Sequence, residues 1–175
     1  MKIIDTEFKD LKVVQDLNFL DNRGYFRELI IEKEIKKKFP FKVMSFSKKN
    51  VLRGMHLQTK KAQGKYVSVI KGEILDVVVD LRKNSKTFKK KFLIKLSEKN
   101  FKSIYIPPGF AHGFYTLAKE NYVIYSCTNY RSKNHEISIN WKDKDLNIAW
   151  PCKKPIISKK DNGGISLKKL LSLLN

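Results

Sequence analysis

From residue 65 onward the apolar positions come in short bursts split by turn formers. "KYVSVIKGEILDVVVDLR" (65–82) is dense in β-branched residues, the composition of strands rather than of a helix. Lys71-Gly72 divides it, and the spacing predicts a hairpin there. "KKFLIKLSEKN" (90–100) predicts a strand running into a turn. "KSIYIPPGFAHGFYTL" (102–117) predicts two short strands about a Pro-Pro-Gly corner, and "ENYVIYSCTNY" (120–130) one more. "HEISINW" (135–141) alternates apolar and polar residues, the period of a half-buried strand. Short strands at such intervals point to a sandwich or barrel.

Helical periodicity is a minor component. "IEKEIKKKF" (31–39) predicts two turns. At the C-terminus Ser166 is a helix N-cap, and Leu167, Leu170, Leu171 and Leu174 follow at i, i+3, i+4 and i+7, a stripe that packs on the barrel. There is no long linker, internal repeat or low-complexity block. The expectation is one domain, 1–175, all-β, with short flanking helices.

The chain has 175 residues, 42% of them hydrophobic, enough for one core. No run of 18 apolar residues occurs, so no membrane span is expected. "MKIIDTEFKDLK" lacks the apolar block of a signal peptide. Cys127 and Cys152 lie far apart and outside any CxxC pattern, which suggests a reduced, cytoplasmic protein with both thiols in or near the core. The net charge of +20 suits nucleic acid, an acidic membrane surface or an anionic small substrate. The lysines are scattered, however, and no Arg-rich, aromatic nucleic-acid module is present. The charge therefore reads as a lysine-rich solvated surface, with neither nucleic acid nor membrane as partner.

Three histidines are available for chemistry. His56 in "RGMHLQ" and His112 in "GFAHGF" sit in apolar, glycine-flanked contexts; His135 in "SKNHEIS" reads as a solvated loop residue. A metal site on a small barrel needs a tight His-x-His pair, but His56 is followed by Leu57-Gln58, so no metal is expected. No G-x-S-x-G elbow supports a serine hydrolase. Proton transfer remains: a neutral imidazole oriented by a carboxylate as base, a lysine beside a developing oxyanion, a tyrosine as acid. Lys65, Tyr125 and a carboxylate such as Asp161 are the candidates.

Several blocks in order carry a resemblance: "DNRGYFRE" (21–28), "SFSKKNVLRGMHLQ" (45–58), "AQGKYVSVIKGEILDVVVDLRKNSKTF" (62–88), "IPPGFAHGFYTL" (106–117), "WKDKDLNIAWP" (141–151) and "ISKKD" (157–161). Together they resemble the dTDP-4-dehydrorhamnose 3,5-epimerase family, RmlC-type enzymes with a cupin-like jelly-roll barrel. The resemblance implies proton abstraction and return at C3 and C5 of a nucleotide-diphosphate 4-keto-6-deoxy sugar, with no metal or organic cofactor. It implies His56 as base, Asp161 as its orienting partner, Lys65 beside the enolate oxygen and Tyr125 as acid. Arg23 and Arg53 become diphosphate clamps. Phe26 and Glu28 line the site from a neighbouring subunit of a homodimer, and Gln58 and His112 are further substrate contacts. The context implied is surface-polysaccharide sugar synthesis.

The chain departs from the family pattern in places. Val43-Met44 stand where the family often has Asn-His, Ser126 where a lysine often follows the tyrosine, and Lys86 where "SPTF" is usual. Arg27 is an unusual charge in its motif. The first two changes fall at expected sugar or nucleotide contacts. They leave open a GDP-linked 4-keto-6-deoxy heptose as substrate, inversion at only one of the two centres, or a catalytically silent sugar-binding cupin.

Overall fold

A computed structural model of the chain describes residues 1–174. Thirteen strands follow one another: β1 (Lys2–Asp5), β2 (Lys12–Gln15), β3 (Leu17–Asp21), β4 (Gly24–Glu28), β5 (Phe41–Lys48), β6 (Leu52–Gln58), β7 (Lys65–Lys71), β8 (Glu73–Asp80), β9 (Lys91–Ser97), β10 (Lys102–Ile106), β11 (Phe110–Thr116), β12 (Glu120–Cys127) and β13 (Glu136–Ser138). Helix α1 (Glu32–Ile35) precedes β5; α2 (Lys159–Asn162) and α3 (Leu167–Leu173) close the chain. The strands form a six-stranded sheet in the order β1-β2-β10-β7-β12-β5, a five-stranded sheet in the order β13-β6-β11-β8-β9, and a separate ribbon, β3-β4. This is the cupin-like jelly roll with short flanking helices.

The apolar bursts explain the layers. Val67 and Val69 of β7, Val78 of β8, Ile104 of β10 and Val123 of β12 meet in the core between the sheets. Val77 and Val79 of β8 point the other way and are covered by Leu167 and Leu170 of α3. Strand β8 is therefore buried on both faces, which is why "DVVVD" lacks the alternation of a half-exposed strand. Each fully buried Leu of α3 contributes about 1.5–3 kcal/mol through its removal from water. Ser166 Oγ accepts from Lys169 N at 3.2 Å and caps α3 as its sequence predicts.

The expected hairpin at Lys71-Gly72 is not one. Strands β7 and β8 belong to different sheets, and Gly72 is the corner between them. Its φ is +88°, and a Cβ there would stand 2.2 Å from the Glu120 carbonyl, so only glycine makes the corner. Helix α1 is shorter than expected, a single turn ended by Lys36 in the left-handed region, with Pro40 beyond it to forbid regrowth. The strands of the first 58 residues and α2 carry patterns too short or too polar for the periodicity reading to single out.

A candidate active site between the sheets

Strand β6 carries "LRGMHLQ" and pairs with β11 so that His56 and His112 are directly opposite, with a register break just beyond, between His112 and Phe114. Two glycines permit this approach. A Cβ on Gly54, whose φ is +122°, would lie 2.5 Å from Gly113 Cα. Strand β13 flanks β6 on its other side, with Ser138 opposite His56.

Asp161 reaches the site from α2. A parallel bridge between Val51 and Ile156 ties the incoming segment to the start of β6. Ser158 Oγ caps α2 by accepting from Asp161 N at 3.1 Å. The Asp161 carboxylate lies 2.8 Å from His56 Nε2 and accepts a second bond from Gly54 N at 3.2 Å. Burial pushes the Asp161 carboxyl up, but the bond and charge of His56, together with Gly54 N–H and Ser158, outweigh it, and the net direction is down. An ionised carboxylate can only accept, so Nε2 donates to it, and whenever the imidazole is neutral the lone pair is on Nδ1. The His56 side chain remains 27% exposed, open to a ligand.

A second pair lies beside the first. His112 Nε2 is 2.8 Å from Asp76 Oδ2, but this imidazole is only 5% exposed and its aspartate is fully buried. The two histidines look alike in sequence, yet only His56 is presented to the cavity with substantial exposed surface.

Tyr125 on β12 stands on the other sheet. Its hydroxyl lies 3.0 Å from Ser45 Oγ on the neighbouring β5, and its ring stands edge-on to His112 at 6.4 Å between centroids. Burial pushes the phenol above its ordinary pKa, opposed by the Ser45 hydrogen bond and the Arg53 charge, so it holds its proton at neutral pH. Burial pulls Lys65 on β7 below the usual lysine value; Cys127, Glu136 and Asp76 oppose that pull and Arg131 adds to it. Its ammonium makes no ion pair among the described residues.

These groups share one cavity of about 370 Å³. His56, Lys65, Tyr125 and Asp161 all line it, as do Arg53, Gln58 and His112. Arg53 donates Nε to Ser47 Oγ and Nη2 to the Phe46 carbonyl, both at 3.0 Å. Gln58 lines the wall with its carboxamide already engaged: Nε2 donates to the Lys61 and Tyr130 carbonyls, and Oε1 accepts from Ser132 N. Arg23, Phe26 and Glu28 are absent from this wall. They sit on the β3-β4 ribbon, where Arg23 pairs with Asp21 at 2.6 Å and Phe26 is 67% exposed.

Among the lining residues that sequence reading did not propose are Cys127, Arg131 and Glu136. Arg131 grips Glu136 through Nε at 2.7 Å and Nη2 at 3.2 Å, and Lys160 bonds the same carboxylate. Burial resists ionisation of Glu136, but these cations and the His56 charge hold its pKa down at about 2. Only the pairing of β13 with β6, which no local signal announces, places Glu136 here. Among the described residues no group of three or more His, Cys, Asp or Glu side chains is placed to hold a metal ion, and no helix is long and apolar enough to cross a membrane.

Comparison with known proteins agrees with this architecture. Residues 5–169 match the family described as dTDP-4-dehydrorhamnose 3,5-epimerase. A relative of that name from Shigella flexneri is 42% identical over 171 residues, covering 94% of each chain. The crystal structure of dTDP-6-deoxy-D-glucose-3,5-epimerase RmlC from Legionella pneumophila, in complex with dTDP-4-keto-L-rhamnose, superposes with a TM-score of 0.93 at 37% identity, covering 99% of this chain and 96% of that one. The Bacillus anthracis dTDP-4-dehydrorhamnose 3,5-epimerase, with TDP and pyrophosphate bound, superposes with a TM-score of 0.91 at 39% identity, covering 95% and 99%. With family match, near full-length identity and shared fold in agreement, the chain belongs to the dTDP-4-dehydrorhamnose 3,5-epimerase family.

Proposed function

We propose that the protein inverts C3 and C5 of a dTDP-linked 4-keto-6-deoxy sugar, with His56 as base and Tyr125 as acid. The observation that carries this reading is the imidazole–carboxylate pair of His56 and Asp161 in one cavity with a protonated phenol and an unpaired ammonium. The 4-ketone acidifies the neighbouring C–H bonds. His56 Nδ1 removes the hydrogen from C5, and the electron pair moves to the ketone oxygen. Lys65 stabilises that enolate, an effect strengthened where water is scarce. Tyr125 then delivers its proton to the opposite face. Solvent returns a proton to the phenolate and takes one from the imidazolium, and the same exchange inverts C3. No electrons are gained or lost, so the chemistry requires no redox cofactor. Asp161 is a positioning residue that fixes the imidazole tautomer.

Arg53 binds the diphosphate. A guanidinium suits phosphate oxygens, and this one is oriented by Ser47 and Phe46. The nucleotide is dTDP rather than GDP, in keeping with the dTDP-based names and ligands of the relatives. The working form is a homodimer. Arg23, Phe26 and Glu28 stand on an exposed ribbon outside their own chain's cavity, with Phe19, Leu20 and Tyr25 exposed beside them, so they can serve a neighbour's site. Sedimentation of the active enzyme as a monomer would remove the shared site.

Incubation with dTDP-4-keto-6-deoxyglucose in deuterated water tests the reaction. Deuterium is expected at both C3 and C5 by NMR, and none with H56N. Product in which the carbonyl has moved, without exchange at C5, would overturn the assignment.

A further inference from the structure

Two hydroxyls face the cavity, and they touch. Among the described residues that line it, only Tyr125 and Ser45 carry one, and their oxygens are 3.0 Å apart. Ser45 is half-buried. It stands on β5, the end strand of the six-stranded sheet, one strand nearer the sheet edge than Tyr125 on β12. Val43, Met44 and Phe46 around it are exposed, so this edge is open to water. The rings beside the phenol are no proton source. His112 is bound to Asp76 and almost fully buried, and Phe114 has no proton to give.

We infer that Ser45 relays solvent protons to Tyr125 while the sugar is bound, so that one phenol serves two inversions in a single stay. The inference rests on the epimerase reading and deepens it. Each inversion breaks the Tyr125 O–H bond as the new C–H bond forms, and leaves a phenolate. A phenolate can only accept a hydrogen bond, so Ser45 is then the donor. The bound sugar occupies the side of the phenol from which the proton left, so the replacement has to come from behind. The Ser45 proton passes to the phenolate oxygen as a water proton takes its place on Oγ, a transfer within the reach of one hydrogen bond at each step. The hydroxide so formed is neutralised by the proton that His56 gives up to solvent. Atoms and charge balance, no electrons are gained or lost, and the phenol is ready for the second centre. Ser45 acts through Tyr125 and is a positioning residue. Its hydrogen bond also favours the phenolate against the burial that opposes it.

The test is a time course with dTDP-4-keto-6-deoxyglucose and excess enzyme in deuterated water, with singly and doubly inverted sugar resolved by NMR before equilibrium. The wild-type protein is expected to give mainly the doubly inverted sugar. S45A should release singly inverted sugar first, raising its share over the doubly inverted one by about 10-fold, with kcat lowered by a similar factor and KM unchanged. S45T keeps a hydroxyl at the same position and should restore the wild-type ratio. A merely structural role for Ser45 would slow both inversions together and leave the ratio where it was. An S45A ratio equal to that of the wild type would overturn the inference, and so would S45T behaving as S45A does. Either result leaves the epimerase reading standing if the wild type inverts both centres. A wild type that exchanges no deuterium, or inverts one centre only, overturns both.

Discussion

Two of the polar clusters in this barrel differ in how completely they close. In the first, Arg27 donates Nε and Nη2 to Asp16 at 3.0 and 2.7 Å and Nη1 to the Val69 carbonyl at 2.8 Å. Tyr66 donates to the other oxygen of Asp16, and Ser103 bonds both Asp16 and Ser68. Burial pushes the Asp16 carboxyl up, and Arg27 with the two hydroxyl donors works against that rise. In the second cluster Asp161 grips one side of His56 while the other side, with Lys65, faces an open cavity. A closed network leaves no valence for a ligand and serves as a rivet between β4 and the six-stranded sheet. An open one leaves lone pairs and charges that only a substrate completes.

The difference is broken most forcefully at His56. H56N keeps a polar side chain of similar reach and removes the proposed base. A fall on the order of 10³ in kcat is expected, within the usual range of acid–base catalysis, with the urea midpoint nearly unchanged. A large loss of stability would place His56 in the closed class.

Arg27 should behave in the opposite way. R27M leaves Asp16 buried with its charge uncompensated, and breaking such a pair costs about 3–5 kcal/mol. Denaturant unfolding should show that loss, while kcat of the remaining folded enzyme stays within about threefold, since no group of this network contributes to acid–base transfer. A catalytic defect without destabilisation would mean the rivet takes part in chemistry.

Tyr125 lies between the two classes, with one partner in the protein and its ring packed on Phe114 at 6.4 Å. Y125F removes the proposed acid and keeps the packing. A loss of about 10² in kcat is expected, and in deuterated water deuterium should still enter C5 through His56 on the original face, without inversion.

How much of this was legible in the chain follows the same division. The strands of the centre, the C-terminal cap and the leucine stripe are local patterns, and they stand where the periodicity puts them. The Gly72 corner was misread as a hairpin because turn residues look the same whether the chain returns to its own sheet or crosses to the other. Arg27 appeared only as an unusual charge, since its partner Asp16 is eleven residues away and the network needs β7 and β10 to close. His56 and His112 have the same glycine-flanked, apolar setting, and only the sheet register separates one at 27% exposure from one at 5%. The candidate site itself was legible through the resemblance of ordered blocks, not through spacing, because Asp161 is 105 residues from the imidazole it orients. Glu136 was missed for the same reason, its place being set by a three-residue strand.

The smallest expected effect concerns that glutamate. Its folded pKa, about 2, lies below the ordinary value of 4.5 because Arg131 and Lys160 outweigh the burial that resists ionisation. A depressed carboxyl binds fewer protons folded than unfolded, so the stability it contributes is present above about pH 4.5 and drains away as pH falls toward 2. E136Q lacks that dependence. Urea midpoints at pH 7, 4.5 and 3 should show the wild type ahead of E136Q at neutral pH and the gap closing through the acid window. Asp161, depressed in the same direction by His56, remains in both proteins and gives both curves a shared acid slope. The difference between the curves therefore isolates Glu136. Parallel curves would mean that its two cations spend their charge on solvent, and that the rim of the open cluster is held by packing instead.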